Sequence, residues 1–567
     1  MPEMREMKNQ FSKRYQLTLD RVRKTGTPAY TPEMVVADVI PRHERRFTEF
    51  SGDVSGRYLG ALACAARTRS ESYPELARVA SEVVSHQKPQ GYFGGSFAKA
   101  GIQKEDMALL WGNGRLLIGL LEYYATSRQK PILDAATKLG DFLIRIAPDM
   151  NSDRVRRQFE DGAFAMGYIC WTQIIEGLAE LHRVTGSAAY RQVAESMAER
   201  TERRPNEHSH GFLTSVRGIL ALYDVTGDRR FLDRARQEWQ GVIGSGNVLV
   251  PGSVPEAWKP KAHRTEGCSE ADWLRLSLGL WGRTREPGYL AHAERTLFNE
   301  FAMNQFDSGD FGHRVISRTG FPIGGNEEGG GTARAWWCCT LHGLRAFPDV
   351  VAHVFHVEGD ALAYDLPVEG RGESGKMRLL AESSLEQSAT VRLIVESAKA
   401  GAPILIREPG WVYGLEIAVN GLRLATLNRN GYHRLSQPWK AGDVISVRYI
   451  LRTRGERDAA TGRWALWHGP WLLGAEELAS PHFFDEPHHA NLLDIRLLAS
   501  GDADLDPDPT PDDNHFAVQQ ARFRVRYLPG GYPMFPSSVT LRPIAEQTGH
   551  RPSAWEYLFR IHGDKQG

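Results

Sequence analysis

The chain has 567 residues, 41% of them hydrophobic and 24% charged, and its 69 basic side chains balance its 69 acidic ones. A net charge of zero argues against nucleic acid or an anionic membrane as the main partner, and the length allows two to four domains. Five cysteines (Cys64, Cys170, Cys268, Cys338 and Cys339) are too sparse, and odd in number, for a disulfide framework. No run approaches the roughly 18 apolar residues of a membrane span, and the opening MPEMREMKNQFSKRYQ lacks the apolar core of a signal peptide. The expectation is a soluble, cytoplasmic protein with reduced thiols.

Up to about Val354 the apolar spacing is helical. Four junctions resemble one another: LEYYATSRQKPILDAA (121–136), LHRVTGSAAYRQVAES (181–196), LYDVTGDRRFLDRARQ (222–237) and LWGRTREPGYLAHAER (280–295). Each closes one apolar helix, turns at a Thr-Gly-like pair and opens a second helix. The matching threonines, Thr126, Thr185, Thr226 and Thr284, are 59, 41 and 58 residues apart. A repeat of that length marks stacked helical hairpins, and the uneven spacing places long, variable loops at one end. Hairpins closing into a ring would form an (α/α) barrel with its site at the loop end; an open solenoid is the rival.

The segment VPEAWKPKAHRTEGCSEADWLRLSLGLW (254–281) holds Glu266 and Cys268 two apart, a spacing that aims both side chains the same way in extended backbone. Ser269-x-x-Asp272 reads as a capping box opening an amphipathic helix, which sets Cys268 at a helix N-terminus, where a thiolate is favoured. Further on, AWWCCTLHG (335–343) places Cys338 and Cys339 side by side ahead of a second apolar helical pattern. The adjacent cysteines are open to three readings: buried thiols, a strained vicinal disulfide, or soft metal ligands. If the two helix starts meet, Glu266, Cys268, Cys338 and Cys339 make a tetrahedral donor set suited to zinc.

After about Phe355 the signals turn to strand. APILIREPGW is a β-branched run stopped by Pro409-Gly410, and LEIAVNGLRLATL is two alternating runs joined at Asn420-Gly421, a hairpin signal repeated at Asn430-Gly431. DVISVRYIL (443–451) is another strand, and GDADLDPDPTPDD (501–513) reads as a loop. The expected fold is multidomain α+β: a helical domain over 1–355, an (α/α) barrel or its solenoid rival, then one or two antiparallel β-sandwiches over 356–567.

The stretch from Pro255 to Val351 resembles the β-L-arabinofuranosidase family of glycoside hydrolases, family 127. The resemblance is carried by Glu266-x-Cys268, by YLAHAERTLFNE, by Cys338-Cys339 followed by Arg345, and by IREPGW, AVNG and ALWHGPWLLGAEE in the β-region. It implies an (α/α)6 barrel followed by β-sandwiches, with zinc bound by Glu266, Cys268, Cys338 and Cys339. It implies Cys338 as nucleophile and Glu256, in PEAW, as acid/base, with Glu327 and Glu328 as fallback acids. Trp258, Trp336 and Trp337 would wall the site. The family's sugar-reading histidines are replaced by Asn113, Arg115, Trp171 and Thr214, and His208-x-His210, close to the third of these sites, reads either as a substitute there or as a solvated loop pair. Arg115 would suit a carboxylate on the substrate. The implied partners are a small carbohydrate or glycoside and a second copy in a homodimer, with no nucleic acid and no membrane. A metal-free helical-barrel sugar enzyme (a uronyl hydrolase or an epimerase) and a non-catalytic protein with structural zinc are the alternatives.

Overall fold

The computed structural model describes residues 9–24, 30–41, 48–98, 101–160, 165–258, 264–315, 334–398, 401–484, 490–508, 510, 514, 516–530, 537–547 and 555–562. Among the described residues, six helices form an inner ring: α1 (Asp53–Arg69), α2 (Lys104–Ser127), α3 (Ile175–Thr185), α4 (Ser209–Thr226), α5 (Gly267–Thr284) and α6 (Trp337–Ala352). Each packs on the next, and α6 packs back on α1, so the ring closes. The outer helices Pro74–Ser85, Lys130–Met150, Ala188–Glu199, Arg229–Gly244 and Pro287–Arg295 pack on α1 to α5 in turn. The N-terminal helix Gln10–Arg23 fills the sixth outer place against α6. This is the (α/α)6 barrel; the open solenoid is excluded by the contact between α6 and α1.

The repeated threonines end the inner helices. The hydroxyls of Thr185, Thr226 and Thr284 donate to the carbonyls of Leu181, Leu222 and Leu280, four residues back, and accept from the backbone N–H two residues on. The next residue, Gly186, Gly227 or Arg285, takes the left-handed conformation that stops a helix. One short motif thus both satisfies orphan carbonyls and reverses the chain. Elsewhere the ring tightens on glycine. A Cβ on Gly119 would lie 2.1 Å from the Gly56 carbonyl oxygen, so α1 and α2 touch backbone to backbone.

Beyond the barrel lie a six-stranded and a five-stranded sheet sharing one apolar core, then an eight-stranded sheet. Asn420-Gly421 and Asn430-Gly431 form the expected tight hairpins, all four residues at φ between 50° and 85°. Two pairings depart from the antiparallel expectation: Leu362–Tyr364 runs parallel to Ile404–Ile406, and Leu492–Leu493 parallel to Arg560–Ile561. The start of the acidic, proline-rich stretch is also not purely loop, since Ala503–Asp504 pairs with Arg496–Leu497. Arg407, from the IREPGW run, makes a buried two-pronged ion pair with Glu294 on an outer barrel helix, at 2.7 and 2.8 Å, which joins the β-region to the barrel. Among the described residues no helix is long and apolar enough to cross a membrane.

Candidate active site

Helix α5 begins directly after Glu266, and α6 directly after Trp336. Cys268, Cys338 and Cys339 therefore sit in the first turns of two inner helices, where unpaired N–H groups and the helix dipole favour negative charge. A small antiparallel sheet pins the two starts together. Strand β1 (Arg264–Glu266) pairs with β2 (Gly312–Val315), which pairs with β3 (Arg334–Ala335); Glu266 lies opposite His313, and Ala335 opposite Gly312. The expected capping box at Ser269 and Asp272 does not form. The helix is capped three residues earlier, at Glu266, Ser269 turns its hydroxyl to Glu266, and Asp272 points into the barrel.

The structure brings Glu266, Cys268, Cys338 and Cys339 together, with one donor atom of each within 4.8 Å of all the others. Cys338 Sγ lies 3.9 Å from Cys339 Sγ, which lies 3.9 Å from Glu266 Oε1. A disulfide would need about 2.05 Å, so the vicinal pair is two free cysteines. Bonds of about 2.3 Å from a tetrahedral ion would set sulfurs about 3.8 Å apart, so the spacing fits a metal of that size. Cys268 and Cys339 are sealed at 0% exposure, whereas Cys338 is half-buried. Hydrogen bonds from Cys268 and Cys339 hold the Cys338 thiol well below the ordinary thiol range, while burial pushes those two donors up. Even as bare protein, the cluster favours a thiolate at the one cysteine of the three that is not fully buried.

Glu256 is buried beside this cluster. Its backbone N–H donates to the Arg264 carbonyl, and its own carbonyl accepts from Ser209, so it is strapped between β1 and the start of α4. Arg264 Nε donates to its carboxylate. His313 Nε2 lies 3.6 Å from Glu256 and 4.0 Å from Glu266, bridging the two acids. Trp336 meets the His313 ring edge-on at 5.6 Å. Both Trp336 and Trp337 are half-buried at the helix start. Trp258 is buried edge-on against Phe212.

His208 and His210 correct the sequence reading: they are not a solvated loop pair but buried groups at the start of α4. His208 Nε2 bonds Glu266 Oε2 at 2.6 Å, and with Glu256 and Glu266 forms a second compact group. Burial opposes charge on both partners, yet each holds the other ionised, raising His208 and drawing Glu266 well below the carboxylate range. His210 faces inward, donating from Nδ1 to Asp272 Oδ2 at 2.7 Å.

The other proposed sugar contacts are also placed differently. Asn113 donates three bonds to backbone carbonyls and accepts one from Phe93, leaving nothing for a ligand. Trp171 is walled into the barrel with its indole N–H on Asn151. Thr214 donates toward Asp272 and the His210 carbonyl. Arg115 bonds Thr214 through Nη1, and its Nε and Nη2 are shut off from solvent. All four are buried: Asn113, Arg115 and Thr214 lie more than a turn inside α2 and α4, and Trp171 lies in the short helix Ile169–Thr172 ahead of α3. Glu327 and Glu328 lie outside the described residues. Sequence reasoning missed Asp53, Arg57 and His342, which join His210 and Asp272 in one buried network, and His313 beside the two acids. Only the buried charge itself could have flagged it, and charge on a helix looks like a solvated face until the ring closes.

A closed ring of helical hairpins that gathers three thiols and two carboxylates at one end is the frame of an (α/α)6-barrel enzyme. Residues 4–351 match the family model described as β-L-arabinofuranosidase, GH127 catalytic domain, and residues 366–451 match the GH127 middle domain. The first match alone spans more than half of the chain, and the chain belongs to the GH127 family of glycoside hydrolases. Among solved structures, a GH127 β-arabinofuranosidase superposes with a TM-score of 0.72 at 17% identity, covering 98% of this chain and 94% of that one. A GH127 β-L-arabinofuranosidase from Geobacillus stearothermophilus T6 gives 0.71 at 17% identity, over 98% and 99%. A third, a glycoside hydrolase, gives 0.67 at 15%, over 92% and 96%. Such distant likenesses show the fold. No curated protein matches the chain.

Proposed function

We propose that this chain is a retaining glycoside hydrolase acting on a furanoside of the β-L-arabinofuranoside type or a related sugar, with Cys338 as nucleophile and Glu256 as acid/base. The observation that carries the assignment is the difference in exposure within the cluster. Three of its four donors are buried, and Cys338 alone is half-buried. Zinc held by Glu266, Cys268, Cys338 and Cys339 would keep the thiols deprotonated and temper Cys338 both as nucleophile and as leaving group.

The residues of the chain then divide the work. Cys338 Sγ attacks the anomeric carbon as the glycosidic C–O bond breaks, and Glu256 gives its proton to the departing oxygen. Glu256, now a carboxylate, takes a proton from water; the water oxygen attacks the same carbon, and the C–S bond breaks to return the thiolate. Two inversions leave the configuration retained. The compact grouping of Glu256 with Glu266 and His208, within 4.8 Å, supports its part, since Glu266 also belongs to the group that holds Cys338. His208 and His313 border the acids and are suited to orient them and to meet sugar hydroxyls. The same reading divides the chain into a catalytic barrel, 1–355, and a β-sandwich region, 356–567.

The test is a panel of aryl glycosides, furanosides first, with metal content measured on the same sample and product configuration read by proton NMR. Retained configuration from a zinc-loaded sample is the expected result. An inverted product, or full activity from metal-free protein, overturns the mechanism. Bound zinc with no activity on any furanoside points instead to a structural metal.

A further inference from the structure

Arg57 lies on α1, some two hundred residues from the cysteines, and is buried. Its three nitrogens have three different partners. Nε donates to Asp53 Oδ1 at 2.8 Å, Nη2 meets His210 Nε2 at 2.9 Å, and Nη1 points at Cys268 Sγ at 3.5 Å. A guanidinium can only donate, so His210 accepts at Nε2 and must carry its proton on Nδ1, where Asp272 receives it. Every bond therefore runs outward from Arg57: to Asp53, to the Cys268 sulfur and, through His210, to Asp272. Arg115, the next buried guanidinium, reaches Thr214 and not the cluster.

Three thiolates and a carboxylate exceed a divalent cation by two negative charges, and three of these four donors are buried. Resting on the reading of the cluster as a metal site, the geometry points to Arg57 as a positioning residue: its fixed charge offsets the cluster, and its N–H···S bond holds Cys268 as a permanent ligand while Cys338 is left to face the sugar. Asp53 and His210 fix the guanidinium in that pose. The distinction between the sealed and the working cysteine would then come from α1, an element with no ligand of its own.

The experiment uses the full chain loaded with Co2+, whose thiolate charge-transfer band reports on the sulfurs directly, and with Zn2+ in competition with a chelator. R57Q strands the Asp53 carboxylate, so the neutral double variant D53N/R57Q is measured beside it, and R57K tests whether charge alone suffices. The neutral variants should bind zinc about 10- to 100-fold more weakly, the usual effect of losing a partner behind a metal ligand. Their cobalt band should move to longer wavelength, because a sulfur without its N–H donor gives up electron density more readily. R57K should recover most of the affinity but not the band position. Zinc affinity within twofold of wild type together with an unmoved band in D53N/R57Q overturns the inference alone. Wild-type protein that takes up neither metal overturns the metal-site reading and this inference with it.

Discussion

Asp272→Asn is the sharpest test of how the barrel interior is held. Asp272 is fully buried. Its Oδ2 accepts from His210 Nδ1 at 2.7 Å and Thr214 Oγ1 at 2.8 Å; its Oδ1 accepts from Arg217 Nη1 at 2.9 Å and His342 Nε2 at 2.8 Å, with Arg275 at 3.5 Å. Asparagine keeps the shape but turns one oxygen into an N–H2 donor. With the N–H2 at the Oδ2 place His210 faces a donor, while Thr214 can donate to the His210 carbonyl and accept from the amide; with it at the Oδ1 place Arg217 faces a donor. His210 cannot escape by moving its proton to Nε2, because Arg57 already donates there. Losing one hydrogen bond to a charged acceptor at about 1.5–3 kcal/mol, together with the carboxylate charge that Arg217 and Arg275 face, gives about 4 kcal/mol, within the range for breaking a buried ionic network. At about 2.1 cal/mol/K per residue, a barrel of about 350 residues should lose about 5 °C in Tm. Burial opposes the Asp272 charge, but His342 and Arg217 outweigh it and hold its folded pKa well below the ordinary carboxylate range. Its contribution is therefore complete above that range and is lost only as pH falls far beneath it, so the deficit should be the same at pH 6 and pH 8. Differential scanning calorimetry at both values decides. A Tm change under about 1 °C, or a deficit that vanishes between those two pH values, refutes the reasoning.

Cys338→Ser should abolish turnover while the chain keeps its metal, whereas Cys339→Ser should mainly lose the metal; elemental analysis alongside a rate assay separates them, and a Cys338→Ser variant at full rate excludes the nucleophile. Glu256→Gln should cut turnover of poor leaving groups by about 10²-fold or more yet spare the first step for activated aryl glycosides, visible as a burst in stopped-flow absorbance; equal losses on both substrates count against the acid/base role. Glu207 is buried, and that burial pushes its carboxyl to about 8 despite Arg204 nearby. Its folded form thus holds a proton that the unfolded chain releases, and wild-type stability falls as pH rises from the ordinary carboxylate range to about 8. Glu207→Gln should be neutral at pH 5 and stabilising by about 1 kcal/mol or more at pH 8; urea melts giving the same difference at both values would contradict this.

What the sequence determined by itself is local or repeated. The Thr-Gly-like junctions at Thr185, Thr226 and Thr284 specify helix ends through bonds spanning only four residues, so four similar windows were enough to show the hairpins. Asn420-Gly421 and Asn430-Gly431 specify hairpins because their left-handed backbone is a property of the pair itself. Glu266 and Cys268 share a helix start, and Cys338 and Cys339 another, so each half of the donor set was visible in one short stretch, and the family resemblance joined the halves. The parallel strand pairs were not visible, since a parallel neighbour leaves no turn between its strands. Nor was the capping at Ser269, where Asp272 finds stronger donors inside the ring than at its own helix start. Only the closed barrel decided which charged residues are buried. Arg57, His210, Asp272 and His342 come from α1, α4, α5 and α6 and meet only when those helices share one axis. A charge on a single amphipathic helix has no fixed solvent exposure until its neighbours are in place, and the pairing of these four is a property of the ring.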